Sequence, residues 1–201
     1  MPNTIVFDLG GVLIDWNPRY VYRSKFATEA EMEDFLTNIT THDWNEQQDA
    51  GRPLAEATDI LVAKHPEWEE MIRAFYGEWE KMLGGPIQET VEILREIRDQ
   101  GKHTIYALTN WSAETFPVAL ARYDFLHWFE GTVVSGVEMC KKPDEKIYRI
   151  LMDRFQLNGE DCLFIDDSLR NVKGAIAAGL PAIQFVGADQ LRKDLVERGV
   201  L

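Results

Sequence analysis

Near its start the chain reads Thr4-Ile5-Val6-Phe7-Asp8-Leu9-Gly10-Gly11, an apolar run that ends in a carboxylate and is soon followed by two glycines. A short β-branched run bounded by glycines is typical of a buried strand. We therefore predict a first strand whose carboxyl end is Asp8.

Beyond residue 86, apolar runs of strand length alternate with stretches of helical periodicity. The predicted strands lie at 103–108, 131–134, 162–165 and 181–185. The predicted helices lie at 91–101, 113–122, 143–155 and 169–178, with a last one ending near 198. Such alternation indicates βαβ units around a parallel sheet with helices on both faces. The fold class is therefore α/β, with a Rossmann-like parallel sheet as its core.

Residues 16–85 have a different pattern, because their apolar residues recur at helical spacing. Thr28 and Glu31 stand in the positions of a capping box before an apolar run, which marks the start of a helix. We predict a core made of residues 1–15 and 86–201 and an inserted α-helical cap domain made of residues 16–85.

Composition excludes several classes of function. The 201 residues carry a net charge of −13, and 45% of them are hydrophobic, which is enough for a sizeable core. Nucleic acid and anionic membranes both attract basic surfaces, so we expect neither as a partner. We see no membrane-spanning run and no secretory signal, and two cysteines make no disulfide framework. We expect a cytoplasmic monomer or homodimer that acts on a small molecule.

Residues able to carry chemistry directly follow several predicted strands. They are Asp8, Thr109-Asn110 and Asp166-Asp167, and Lys141-Lys142 stand just before a predicted helix. In open α/β sheets, ligands bind at the carboxyl ends of the strands, so these side chains are expected to share one crevice. A single strand-terminal aspartate is more often a helix N-cap. Capping does not account for all of these positions together.

Three carboxylates in one crevice repel one another unless a cation joins them. A hard divalent cation with oxygen ligands, above all Mg²⁺, removes that repulsion. A lysine and the backbone N–H groups at Thr109 and Asn110 suit the charge of a phosphate. A carboxylate beside the metal can attack phosphorus and form an acyl phosphate. The arrangement predicts phosphoryl chemistry.

Four segments, in this order, resemble the motifs of the haloacid dehalogenase-like hydrolase superfamily. They are Phe7-Asp8-Leu9-Gly10-Gly11-Val12-Leu13, Leu108-Thr109-Asn110, Lys142-Pro143-Asp144 and Ile165-Asp166-Asp167-Ser168. Residues 16–85 resemble the cap that one subclass carries between its first two motifs, and residues 131–185 resemble the bacterial sugar-1-phosphate phosphatases of that subclass. The resemblance implies an Mg²⁺-dependent phosphomonoesterase that acts on a small phosphorylated metabolite, such as a sugar phosphate, through an aspartyl phosphate.

The resemblance also implies roles for the residues that handle the phosphoryl group. Asp8 is expected to be the nucleophile, and Lys142 to neutralise charge on Asp8 and on the substrate. Thr109 and Asn110, with Lys142, are expected to bind the transferring group. Lys141 is the rival of Lys142, but the Lys-Pro dipeptide of the family matches Lys142.

The expected metal ligands are Asp8, the backbone carbonyl of Gly10, Asp167 and, directly or through water, Asp166. Asn171, one turn past Asp167, is expected either to orient the lysine or to lie on the helix surface.

The sequence departs from the family's pattern at Gly10. Most phosphatases of the superfamily carry an aspartate there, which protonates the leaving oxygen and later activates water. Loss of a general acid typically costs about 10²–10⁴ in rate. A substrate with a good leaving group, such as the anomeric oxygen of a sugar 1-phosphate, would lose least. Asp15 is the nearest spare carboxylate, and we interpret it first as a surface or hinge residue.

The glycine leaves two alternatives open. A 2-haloacid dehalogenase also lacks the second aspartate and displaces halide without a metal. Its fourth motif lacks the paired acids of Asp166-Asp167, and the sequence has no arginine between Arg23 and Arg52 to match its cap arginine. The other alternative is a weakly active domain that binds phosphate or a partner protein, which an intact Asp8 and Lys142 oppose.

Three further residues are candidates for substrate contact. Trp111 directly follows Asn110 and is expected either at the rim of the pocket or packed in the core. Arg52 and Trp44 belong to the helical segment. Arg52 is expected either to lie solvated on the surface or to bind a phosphate or a carboxylate with its guanidinium.

Overall fold

The computed structural model describes residues 2–201 and places five strands in one parallel sheet. In chain order the strands are β1 (Thr4–Phe7), β2 (Ile14–Trp16), β3 (Leu83–Pro86), β4 (Thr104–Thr109), β5 (Gly131–Val134), β6 (Cys162–Asp166) and β7 (Ala182–Gln184). The sheet has the order β5-β4-β1-β6-β7, and every neighbouring pair in it is parallel. The predicted α/β class with a Rossmann-like parallel sheet is confirmed.

Helices connect these strands. In chain order they are α1 (Arg19–Tyr22), α2 (Glu29–Asn38), α3 (His42–Asp49), α4 (Leu54–Lys64), α5 (Glu69–Gly77), α6 (Gln88–Gln100), α7 (Phe116–Arg122), α8 (Ser135–Glu138), α9 (Glu145–Phe155), α10 (Leu169–Ala177) and α11 (Ala188–Glu197). Within residues 2–201, none of them is long and apolar enough to cross a membrane.

Two helices begin later than predicted, for reasons that the sequence contains. The helix expected from residue 113 begins at Phe116, with Pro117 in its first turn, where the fixed φ of proline suits a helix start. The helix expected from residue 143 begins at Glu145, because Asp144 is its N-cap and accepts a hydrogen bond from the Lys146 backbone N–H at 3.1 Å.

The first strand lies at the centre of the sheet. All four of its residues are buried, as its apolar sequence requires. Its register aligns Phe7 with Ala107 of β4 and with Ile165 of β6. One residue further on, the backbone N–H of Asp8 donates to the carbonyl of Ile165 at 2.9 Å. The sheet thus brings the end of β1 beside Asp166.

The helical segment, residues 16–85, leaves and rejoins the sheet through a two-stranded ribbon. β2 pairs antiparallel with β3, so the chain enters and exits the five helices α1–α5 at one place. The capping box predicted at Thr28 is confirmed: its hydroxyl accepts from the Glu31 backbone N–H at 3.2 Å, and the Glu31 carboxylate accepts from the Thr28 backbone N–H at 3.1 Å.

Aromatic side chains fill the interior of the helical segment. The rings of Tyr22 and Phe35 lie 5.1 Å apart, and those of Trp44 and Phe75 meet edge to face at 5.1 Å. The Tyr22 hydroxyl donates to the carbonyl of Met71 at 2.9 Å. This interior is continuous with the apolar core on one face of the sheet, so burial of apolar surface holds the helices against the sheet.

Candidate active site

A buried lysine joins two carboxylates at the carboxyl edge of the sheet. Lys142 Nζ lies 2.8 Å from Asp8 Oδ1 and 2.7 Å from Asp166 Oδ2, and it donates to the carbonyl of Leu108 at 3.0 Å. Its side chain is fully buried, and a charge at that depth needs close partners of opposite sign. Lys141 pairs instead with Glu46 of α3. Of the two rival lysines, the structure places Lys142 against Asp8.

Burial sets the protonation of this cluster. Removal from solvent raises the pKa of Asp8 well above its ordinary value, with Lys142 opposing the rise and Asp166 adding to it. Burial and the charge of Asp166 likewise raise the pKa of Asp167. Burial alone would lower the pKa of Lys142, but Asp166 and Asp8 outweigh it and the pKa is raised. The site therefore holds more negative charge than one lysine compensates.

Asp166 is fixed by hydrogen bonds at both of its oxygens. Oδ1 accepts from the backbone N–H of Ser168 at 2.8 Å and from Asn171 Nδ2 at 3.0 Å, while Oδ2 accepts from Lys142 Nζ. Asn171 is itself buried, and its backbone carbonyl accepts from the Tyr148 hydroxyl at 2.7 Å. Asn171 thus acts on Asp166, and it orients Lys142 through that carboxylate.

Thr109 is the last residue of β4 and Asn110 follows it, and their side chains differ in hydrogen bonding. Asn110 forms a reciprocal pair with the backbone of Lys142: its Nδ2 donates to the carbonyl at 3.0 Å, and its Oδ1 accepts from the N–H at 2.8 Å. The amide side chain is thereby occupied in joining the two loops. Among residues 2–201, the buried hydroxyl of Thr109 finds no hydrogen-bond partner. Such an atom is rare unless a ligand completes it.

The acidic cluster fits a divalent cation. Asp8, Asp166 and Asp167 each offer a carboxylate oxygen, and these atoms all lie within 4.8 Å of one another. Carboxylate oxygens are the ligands that Mg²⁺ prefers, and a cation favours the ionised forms of Asp8 and Asp167, whose pKa values are raised by burial and by neighbouring carboxylates. Gly11 lies against this cluster with φ of 74°, and a Cβ there would collide with the Asp167 carboxylate. The absence of a side chain at Gly11 thus leaves room for the Asp167 carboxylate.

A cavity of about 350 Å³ lies between the sheet edge and the helical segment. The sheet side contributes Gly10, Gly11, Asn110, Trp111, Ser112, Thr115, Asp167, Ser168, Arg170 and Asn171. The other side is formed by Trp16, His42, Asn45, Glu46, Asp49, Tyr76 and Trp79. Its volume is that of a small-molecule site, and both of its walls carry polar groups.

Only one of the three candidates for substrate contact lies on this cavity. Trp111 lines it, with Nε1 donating to Thr115 Oγ1 at 3.1 Å. Arg52 lies inside the helical segment, where Nε donates to Gln48 Oε1 at 2.8 Å. Trp44 packs there too, 5.4 Å from the ring of Tyr76. Neither Arg52 nor Trp44 lines this cavity, because both side chains hold α3 against its neighbours, and their contact with substrate stays a prediction.

Helix α3 supplies three cavity residues that the sequence reasoning missed, Asn45, Glu46 and Asp49. His42 and Glu46, and likewise Asn45 and Asp49, are four residues apart and so share one polar face of the helix. This spacing of polar residues is the feature of the sequence that could have identified them. Glu46 also forms ion pairs across the cavity edge with Lys141 and Arg170, and it is the point where α3 contacts the sheet edge through charge.

The fold is of the α/β class, and a cluster of aspartates lies at the carboxyl ends of its parallel strands. Residues 2–179 match the family of haloacid dehalogenase-like hydrolases, and the chain belongs to this family.

Three known proteins resemble the chain in sequence or in fold. The chain is 28% identical to a sesquiterpene phosphatase of Aspergillus oryzae over 180 residues, and this alignment covers 90% of this chain and 88% of that protein. A family enzyme of Bacteroides thetaiotaomicron, crystallised with magnesium and inorganic phosphate, superposes with a TM-score of 0.68 at 20% identity, over 92% of this chain and 94% of that one. An L-2-haloacid dehalogenase of Xanthobacter autotrophicus with chloropropionic acid covalently bound superposes with a TM-score of 0.63 at 14% identity, over 100% of this chain and 85% of that one. The two structures show a shared fold.

Proposed function

We propose that the protein is an Mg²⁺-dependent phosphatase that hydrolyses a small phosphorylated metabolite, such as a sugar phosphate, through an aspartyl phosphate on Asp8. The observation that carries the proposal is the contact of Asp8 with the buried Lys142, within a cluster of three carboxylates that fits a divalent cation.

The nucleophile is the carboxylate of Asp8. The backbone N–H of Leu9 donates to Oδ1 at 2.8 Å, and Lys142 Nζ contacts the same oxygen. Oδ2 therefore attacks the phosphorus. A bond forms between Oδ2 and phosphorus as the bond from phosphorus to the leaving oxygen breaks, and that oxygen departs with its electron pair and takes up a proton. Water then attacks the phosphorus, the bond to Oδ2 breaks, and inorganic phosphate leaves.

The phosphoryl group needs hydrogen-bond donors that are already in place. The unpartnered hydroxyl of Thr109 is one such donor. Lys142 contributes its positive charge, because its three N–H groups already face Asp8, Asp166 and the carbonyl of Leu108. Because the Asn110 side chain is occupied by Lys142, the contribution of Asn110 comes from its backbone N–H. Donors fixed in this way stabilise the charge that develops on the phosphoryl oxygens without rearranging during the reaction.

Mg²⁺ would be held by Asp8, Asp167 and the backbone carbonyl of Gly10. Asp166 would act through water, because hydrogen bonds occupy both of its oxygens. When bound, the ion supplies positive charge that lets an anionic substrate approach an anionic nucleophile. The helical segment, residues 16–85, serves as a cap over the site, a role supported by the seven cavity residues it contributes.

The dehalogenase alternative keeps one observation in its favour, the glycine at position 10. The acidic cluster opposes it. A 2-haloacid is a carboxylate, and three carboxylates within 4.8 Å repel it unless a cation is present.

The test compares the wild type with Asp8→Asn on phosphorylated metabolites and on 2-haloacids, with Mg²⁺ and with a chelator. We expect Mg²⁺-dependent phosphate release, and a fall of about 10⁴-fold or more in Asp8→Asn, because the nucleophile is lost. Asp99→Asn, on the exposed face of α6, is the matched control and keeps the wild-type rate. A thermal shift with Mg²⁺ that disappears in Asp167→Asn checks the metal site without using activity.

Each alternative has its own signature in the same experiment. Halide release that a chelator does not affect identifies a dehalogenase. Phosphate release that is unchanged in Asp8→Asn, or no turnover of either class, leaves a domain that binds phosphate or a protein partner.

A further inference from the structure

The hydrolysis proposed above needs a proton donor for the leaving oxygen, and Gly10 has no side chain to supply one. Attack by Asp8 comes from the sheet edge. In phosphoryl transfer the attacking and leaving oxygens lie roughly in line with phosphorus. The leaving oxygen therefore faces the opposite wall of the cavity, which the helical segment forms. A donor should be sought there.

Three titratable side chains of α3 line that wall: His42, Glu46 and Asp49. His42 Nε2 lies 3.0 Å from the Glu46 carboxylate, and the His42 side chain is largely exposed. Glu46 is engaged by Lys141 and Arg170. Burial alone would raise the pKa of Glu46, but those two cations lower it, so Glu46 stays ionised at neutral pH. This leaves Asp49.

Asp49 is the last residue of α3 and is half-buried on the cavity wall. Asn45 Nδ2 approaches its Oδ2 at 3.5 Å. Burial raises the pKa of Asp49 to about 7, and the charge of Glu46 adds to the rise, while Lys141, the backbone of Ser112 and Lys142 oppose it. A carboxyl group with this pKa both gives and accepts a proton near neutral pH, which general acid–base catalysis requires.

The neighbouring carboxylates do not fit this role. Asp15, the nearest in sequence, lies in β2 and accepts a hydrogen bond from the Tyr20 hydroxyl at 2.5 Å. It is not among the residues that line the cavity. Asp167 belongs to the acidic cluster at the sheet edge, on the side of the nucleophile.

We propose that Asp49 is the general acid and base of the reaction, so that the helical segment supplies the group that is missing at Gly10. The proposal rests on the phosphatase function proposed above. In the first step the Asp49 carboxyl group gives its proton to the leaving oxygen as the bond from phosphorus to that oxygen breaks. In the second step the Asp49 carboxylate takes a proton from the attacking water. The phosphate leaves as the hydrogen phosphate dianion, with Asp49 protonated again.

The experiment measures kcat/KM of Asp49→Asn on two phosphate esters that differ in leaving group. Phenyl phosphate has a poor leaving group that needs a proton, and 4-nitrophenyl phosphate has a good one that departs as the anion. We expect a loss of about 10²–10⁴-fold on phenyl phosphate and less than about tenfold on 4-nitrophenyl phosphate. The ratio of the two values does not depend on how much of the variant is folded.

A pH profile gives a second readout. For phenyl phosphate, wild-type kcat/KM should fall as pH rises above about 7, because the acid must be protonated to act. In Asp49→Asn that limb should be absent. Asp43→Asn is the control on the same helix, since Asp43 is exposed and does not line the cavity. It should match the wild type with both esters and in the pH profile.

Two results overturn the proposal. One is an equal loss on both esters, which assigns Asp49 a positioning role only. The other is wild-type activity on phenyl phosphate in Asp49→Asn. Failure of the phosphatase function itself is distinct from both, because the wild type would then hydrolyse neither ester.

Discussion

The two walls of the cavity are held in different ways. At the sheet edge, Lys142 is fully buried between Asp8 and Asp166, and each of these groups is fixed by further hydrogen bonds. The opposite wall is a helix packed on aromatic rings, and the charged contact between it and the sheet edge is made by Glu46. The first wall cannot move without leaving a buried charge unpaired, whereas the second can. The fixed wall therefore suits bond making, and the other suits admission and selection of substrate.

The largest effect should come from breaking the fixed wall. In Lys142→Met two buried carboxylates lose their common partner. We expect a loss of about 3–5 kcal/mol in the free energy of unfolding, because uncompensated buried charge is costly. Phosphatase activity should fall to background. Urea unfolding, monitored by circular dichroism, measures the free energy of unfolding, and phosphate release measures the activity.

Lys141→Met is the matched control one residue away. Its ammonium pairs with Glu46 rather than with Asp8, so the loss should be about 1 kcal/mol or less and catalysis should continue. Equal destabilisation by the two substitutions would show that the sheet edge does not depend on the buried lysine as described.

The fixed wall is also the part that the sequence predicted well. An apolar strand that ends in a carboxylate has few alternatives, and β1 and β6 carry their aspartates at the strand ends as expected. The choice of Lys142 over Lys141 came from the Lys-Pro match, and the buried contacts of Lys142 agree with it. The role of Asn171 could not be predicted from the sequence, because a helical spacing does not say whether its side chain reaches Lys142 or the Asp166 carboxylate paired with it.

The other wall was predicted poorly for a physical reason. Helix α3 is mostly polar, with Trp44 as its one large apolar side chain, so its orientation depends on contacts with distant segments. The ribbon of β2 and β3 likewise exists only because residues about seventy positions apart pair. Arg52 and Trp44 were chosen by residue type, and tertiary packing turned both into supports of α3. Asp49 and Asn45 reached the cavity instead.

A second substitution disturbs the metal cluster and leaves the buried lysine in place. Gly11→Ala puts a Cβ into the space of the Asp167 carboxylate, at a φ of 74° that already disfavours a side chain. We expect the affinity for Mg²⁺ to fall about 10–100-fold, because a displaced ligand binds poorly. The measurement is the Mg²⁺ concentration at half-maximal thermal shift.

The control for backbone strain is Gly179→Ala. Gly179 has a similar φ of 85°, but nothing lies within 4 Å of the added Cβ. It should lower stability by about 1 kcal/mol and leave the affinity for Mg²⁺ as in the wild type. If both variants bind Mg²⁺ equally well, then Asp167 does not hold the ion.

The smallest effect should come from loosening the second wall at Glu46. Glu46→Gln removes the charge that pairs with Lys141 and Arg170, both of which are partly exposed, so we expect a loss of about 1 kcal/mol at pH 7 and a severalfold rise in KM. In the unfolded chain Glu46 binds its proton near pH 4.5, and in the folded protein only at lower pH, because its two cationic partners outweigh the effect of burial and lower the pKa. The contribution of Glu46 to stability is therefore present above pH 4.5 and is lost as pH falls through the lower, folded value.

The free energies of unfolding of the wild type and of Glu46→Gln should therefore become equal as the pH falls. Unfolding of both proteins from pH 7 down to pH 3 measures this, with Glu56→Gln on the exposed face of α4 as the control. A gap that persists at low pH would mean that Glu46 holds the wall by packing rather than by charge, and the two walls would then differ less than their contacts indicate.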